Sequence, residues 1–132
     1  MLLQLEGVIA GYGSGSDILR GVDLSLDSGA FTCLIGPNGA GKSTLLRTIS
    51  GLLRPRQGRI LFRGRDIGGR RPDLLFRDGI AHVPQGRSSF AQMTVWENVL
   101  VGASFGRELF RLASVWFCLI PEEKPRVSGV LR

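Results

Sequence analysis

The chain has 132 residues, and its balance of 43% hydrophobic to 21% charged residues is that of a globular domain, which excludes a disordered chain. Net charge is +6, but residues 1–53 sum to −1, residues 54–77 to +6 and residues 78–132 to +1, so the basicity belongs to one arginine-rich segment. Glycine is in excess at 19 residues without a fixed period, which excludes a collagen-like chain and points to tight turns and backbone approaching a ligand.

In chain order, residues 2–9 predict a strand from partial alternation of apolar and polar positions. The glycine and serine run Gly11-Tyr12-Gly13-Ser14-Gly15-Ser16 predicts a loop. Residues 18–26 predict a second strand, antiparallel and half exposed, with Val22, Leu24 and Leu26 on one face and Asp23 and Ser25 on the other. Asp27-Ser28-Gly29 predicts a turn, and Phe31 to Ile35 a short buried parallel strand. A helix is expected over about residues 42–50, with Leu45, Leu46, Ile49 and Leu53 marking its apolar face and Gly51 suited to its C-terminal end. Arg59 to Arg63 predicts another strand, Pro72 opens a brief helix, and Gly79 to Val83 is an apolar run closed by Pro84. Thr94-Val95-Trp96-Glu97 is a capping box that opens a helix to about Gly102. Strands, glycine turns and short helices alternate, so the class is α/β.

The first ten residues, MLLQLEGVIA, lack a basic stretch and carry Glu6, which argues against a secretory signal. No apolar run reaches the roughly 18–20 residues of a membrane helix. Cys33 and Cys118 have no paired spacing, and their apolar neighbours predict buried free thiols in a reducing compartment.

Residues Gly36, Pro37, Asn38, Gly39, Ala40, Gly41, Lys42, Ser43 and Thr44 fit GxxxxGK[ST], with an apolar run before and a predicted helix after. The residue types answer a physical problem, which is to hold a polyphosphate without protein bulk. Glycines let backbone N–H groups curl around phosphate oxygens, and a helix N-terminus adds free N–H groups and positive potential. Lys42 supplies a mobile cation, Ser43 a hydroxyl for Mg²⁺, and Thr44 a hydroxyl for a cap or a phosphate oxygen.

The neighbours of this loop choose among phosphate-loop classes. LIGPNGAGKSTLLRTISGLLRP…GRILFRG, with Gly11-Tyr12-Gly13 upstream and Val83-Pro84-Gln85 downstream, resembles the nucleotide-binding domain of ABC transporters over about residues 2–103. VPQGRSSFAQMTVWENVLVGA is most similar to ATP-binding subunits of branched-chain amino-acid importers, with urea and amide importers a close sister group. The resemblance implies a P-loop NTPase fold with parallel core strands and an antiparallel β subdomain. It implies ATP and Mg²⁺ as cofactors, Tyr12 stacked on adenine, and Gln85 as the glutamine that binds Mg²⁺ or the attacking water. It also implies transmembrane permease subunits and a second ATP-binding subunit as partners, with the protein peripheral on the cytoplasmic face of the membrane. Nucleic acid is not expected: only Phe62 and Phe76 interleave the arginine segment, which is thin for base stacking and fits a solvated face.

Other motifs are set aside. His82, the only histidine, is expected to pack in the strand before Gln85, without a catalytic role. Asp66-Ile67-Gly68-Gly69 matches a GTPase-like DxxG without a base-reading motif. Cys118-Leu119-Ile120-Pro121-Glu122-Glu123 places Pro121 where a magnesium carboxylate belongs, and Val127-Ser128-Gly129 is too short for a Ser-Gly-Gly signature. Residues 1–103 are therefore expected to be a partial nucleotide-binding domain and residues 104–132 a tail that departs from the family, as in a truncated or frameshifted product. The helical subdomain and later core strands are expected to be missing. No catalytic residue is assigned, so the alternative to an importer ATPase is a remnant that binds nucleotide without turning it over.

Overall fold

The computed structural model describes residues 1–86 and 90–104. Strands β1 (Leu3–Ala10) and β2 (Leu19–Leu26) are followed by helix α1 (Lys42–Ile49). Strands β3 (Gln57–Phe62) and β4 (Arg65–Asp66), then helices α2 (Pro72–Asp78) and α3 (Val95–Ser104), complete the order. The strands form one antiparallel sheet in the order β2-β1-β3-β4.

Alternation in β1 sets the register. Leu3 pairs with Leu26 on one side and Phe62 on the other, and Leu5 pairs with Leu24 and Ile60, so the apolar positions of three strands fall on one face. With Val8, Ala10 and Leu19 they form a core that also takes in Leu45 and Ile49 of α1. Ile67, Leu75 and Ile80 extend the same cluster to α2 and its flanks. Each fully buried aliphatic side chain contributes about 1.5–3 kcal/mol relative to exposure.

The register shifts in β1 between Glu6 and Ile9, opposite Gly58. Gly58 has φ +85°, and a Cβ there would lie 2.5 Å from the carbonyl oxygens of Glu6 and Gly7, so the bulge closes only on a glycine. The β3–β4 hairpin, which the sequence reading leaves out, turns on Arg63 and Gly64 at φ 50° and 76°. Two positive φ values in a two-residue turn match the twist of the flanking strands.

Helix ends follow their local chemistry. Pro72 sits in the first turn of α2 and Gly79, at φ 104°, ends it. The expected capping box opens α3: the Thr94 N–H donates to Glu97 Oε2 at 2.8 Å, and the Glu97 N–H donates to Thr94 Oγ1 at 3.2 Å. Asn98 braces the preceding turn, donating to the Phe90, Met93 and Thr94 carbonyls and accepting from the Phe90 N–H at 2.8 Å.

Three expectations are corrected. Phe31 to Ile35 forms no strand, and Phe31 and Ile35 are 84% and 77% exposed. An apolar run on a parallel strand needs sheet neighbours and cover on both faces, and no strand among the described residues pairs with it. Cys33, within that run, is exposed for the same reason and is not a buried thiol. The Gly79 to Val83 run is likewise without strand pairing; His82 is half-buried there, and Ile80 joins the core. The expected tail boundary, Cys118, Pro121 and the Val127-Ser128-Gly129 run fall at or beyond the end of the described residues.

Candidate nucleotide-binding site

The loop from Gly36 to Gly41 leads directly into α1, as its motif requires. Gly39 and Gly41 hold φ +86° and +89°, which turn successive backbone N–H groups toward a common side. A Cβ on Gly41 would come within 3.1 Å of Leu19 and 3.3 Å of Ile18, so the loop base is pressed against β2 and its lead-in. Leu45 N–H bonds the Gly41 carbonyl at 2.8 Å, and Ala40 N–H bonds Pro37 at 3.2 Å. Gly41 caps α1 without a side-chain bond, and no acidic residue lies in the first turn. The first-turn N–H groups therefore lack intrahelical partners, and the positive end of the helix is left for an anion.

The Lys42 ammonium donates to the Gly36 and Pro37 carbonyls, the latter at 2.8 Å, which places the cation across the loop. Ser43 is half-buried beside it, and Asn38 and Pro37 are exposed. Thr44 is buried, and its carbonyl accepts from Thr48 Oγ1 at 2.7 Å, inside the first turns of α1. Its side chain also helps to hold the Tyr12 phenol below the ordinary tyrosine value.

Tyr12 lies across from the same helix. Its hydroxyl accepts from Arg47 Nη1 at 2.8 Å, and the Arg47 guanidinium carbon is 5.9 Å from the ring centroid. That hydrogen bond, foremost, holds the Tyr12 phenol below the ordinary tyrosine value. A half-exposed ring in a glycine loop thus sits one to two helical turns from the phosphate loop, fixed at its hydroxyl and with surface to spare for a planar ligand. His82 is kept below the ordinary histidine value by burial first and by the charge of Arg47 second. Arg47 is the residue that the sequence reading missed, because its partner lies 35 positions away.

Gln85 is exposed after Pro84, in a bend. Asp66 of the DxxG sequence is engaged locally: its carboxylate accepts the Gly68 N–H at 2.8 Å and shapes a turn. Among the described residues there is no cluster of three His, Cys, Asp or Glu side chains fit to hold a metal. The donors fit a polyphosphate: backbone N–H groups, one ammonium and one hydroxyl. For Mg²⁺ they offer neutral oxygens only.

Comparison with known proteins agrees with this geometry. The family model described as ABC transporter matches residues 19–131. A probable branched-chain amino acid transport ATP-binding protein, LivG of Methanocaldococcus jannaschii, is 39% identical over 101 residues, covering 76% of this chain and 39% of the relative. The phosphonates import ATP-binding protein PhnC of Alcaligenes faecalis is 38% identical over 103 residues, covering 76% of this chain and 37% of that protein. The solved dimeric, post-hydrolysis structure of an ATP-binding cassette bound to ADP and Pi superposes with TM-score 0.68 at 30% identity, over 79% of this chain and 47% of that one. The chain spans about two-fifths of the length of the curated relatives it matches. Shared sequence over this much of the chain is more than a shared fold: the chain belongs to the ABC transporter family.

Proposed function

We propose that this chain binds Mg·ATP as part of the ATP-binding subunit of an ABC-type importer. The observation that carries the reading is the Gly36–Thr44 loop opening α1, with Lys42 across it and Tyr12 fixed to the same helix through Arg47. Gly36, Pro37, Asn38, Gly39, Ala40 and Gly41 wrap the phosphates, Lys42 offsets their charge, and Tyr12 stacks on adenine. Ser43 and Gln85 are the proposed oxygen ligands of Mg²⁺, and Thr44 sets the face of α1 toward Tyr12. In the full assembly the partners are transmembrane permease subunits and a second ATP-binding subunit. The relative named for a dimeric cassette supports the latter. The proposed location is the cytoplasmic membrane face; no described helix is long and apolar enough to cross a membrane.

The cargo is the finer part of the proposal. The wording from Val83 to Ala103 and the LivG relative favour branched-chain amino acids, with urea or amides the alternative. The PhnC relative is named for phosphonates, so relatedness alone spans several cargoes.

A second reading, nucleotide binding without turnover, is favoured by the donor set of the described residues. Positioning and electrostatics dominate phosphoryl transfer, and among the described residues no group of three His, Cys, Asp or Glu side chains is fit to hold a metal. Binding of ATP and release of phosphate measured separately on the chain distinguish the readings. Phosphate release that Lys42→Ala abolishes supports an active ATPase, and binding without release supports the second reading. Absence of both contradicts the proposal.

A further inference from the structure

Within the arginine segment, Arg56 reaches back to the loop that carries Tyr12. Arg56 Nη1 donates to the Gly15 carbonyl at 2.9 Å and to Asp17 Oδ1 at 2.5 Å, and its Nη2 donates to the Gly13 carbonyl at 2.6 Å. Its own N–H bonds the Ile9 carbonyl at 2.8 Å, near the end of the strand that feeds the Tyr12 loop. One residue therefore joins the entry, the middle and the exit of residues 9–17.

That loop is costly to order. It holds glycine at 11, 13 and 15, and glycine-rich backbone loses the most conformational entropy on ordering. Its other backbone bonds are Gly15 N–H to the Tyr12 carbonyl at 3.2 Å and Ile18 N–H to the Ala10 carbonyl at 2.9 Å. The planar guanidinium fork suits two carbonyls and a carboxylate at once, which a lysine ammonium on a flexible stem reproduces poorly. On the far side of the loop the Tyr12 hydroxyl is fixed by Arg47.

We propose that Arg56 is a positioning residue for nucleobase recognition, clamping the Gly11–Asp17 loop so that Tyr12 is presented beside α1. The inference rests on the nucleotide-binding reading above. It divides the site into two parts: the phosphate loop, independent of Arg56, and the base platform, dependent on it.

The test compares two ligands, ATP and inorganic tripolyphosphate, titrated calorimetrically into the 132-residue chain and its variants. Arg56→Ala is expected to weaken ATP about tenfold, the worth of one stacked base, and to leave tripolyphosphate affinity unchanged. Tyr12→Ala is expected to do the same, and the double variant to lose no more than either single one. Arg56→Lys, which keeps charge and stem, is expected to recover only part of the loss. Retained tripolyphosphate affinity guards against misfolding, and in that folded variant the alkaline titration of Tyr12 is expected to move up toward the ordinary tyrosine value without ligand. Equal weakening of both ligands overturns the proposal, as does unchanged ATP affinity in Arg56→Ala while Lys42→Ala remains defective. Failure of the unsubstituted chain to bind ATP overturns the nucleotide-binding reading, and this inference with it.

Discussion

Tyr12 is the only tyrosine of the chain, so its ionisation reports the Arg47 contact directly. The Arg47 hydrogen bond favours the phenolate and lowers the folded-state pKa. The linked stabilisation is therefore present above the unfolded tyrosine pKa and is lost as pH falls through the folded one. Phenolate absorbance should rise at lower pH in the unsubstituted chain than in Arg47→Ala; coincident curves would show that the two side chains do not meet in solution. At this scale the sequence text reveals Lys42 and Tyr12 through their motifs. It conceals Arg47 and Arg56, whose partners lie 35 to 43 positions away and whose segment reads only as net charge. Cys33 reads as buried from its neighbours, yet burial depends on what covers them.

Among the elements, the sheet carries the fold. Ile60 is fully buried between β1 and the helix side of the core, so Ile60→Ala should cost about 2–5 kcal/mol in denaturant unfolding. Gly58→Ala adds a Cβ against two carbonyls at a left-handed φ, and should cost more than about 2 kcal/mol. A loss near zero would mean that the β1 bulge is not held as described. In α3, the Thr94 N–H and hydroxyl hold Glu97 below the ordinary glutamate value. This carboxylate contributes stability above its unfolded pKa and loses it as pH falls through the folded value. The Thr94 amide shift in NMR should titrate with that lowered midpoint, and Glu97→Gln should flatten it. Strands β1 and β2, helix α1 and the capping box are legible because each rests on local alternation, helical spacing or adjacent polar partners. Phe31 to Ile35 is not, because a run apolar on both faces acquires its structure from neighbours elsewhere in the chain. The β4 hairpin rests on a two-residue turn, too small a signal to separate from the arginines around it.

Across the whole molecule, the basic segment is drawn inward in part. Arg56, Arg59, Arg70 and Arg71 pair with Asp17, Glu6, Asp78 and Asp73, while Arg63 lies over the Phe62 ring at 5.0 Å. Exposed pairs of this kind contribute about 0–1 kcal/mol each, so their role is local order more than global stability. The same sheet positions the site: β1 ends at the Tyr12 loop, β2 backs Gly41, and the chain before β3 supplies Arg56. The account stands or falls on whether that arrangement holds a nucleoside triphosphate. The direct measurement is a calorimetric titration of the chain with Mg·ATP beside the Lys42→Ala variant. The account predicts saturable binding that weakens at least about tenfold when the ammonium is removed. Equal affinity in the two proteins would contradict it.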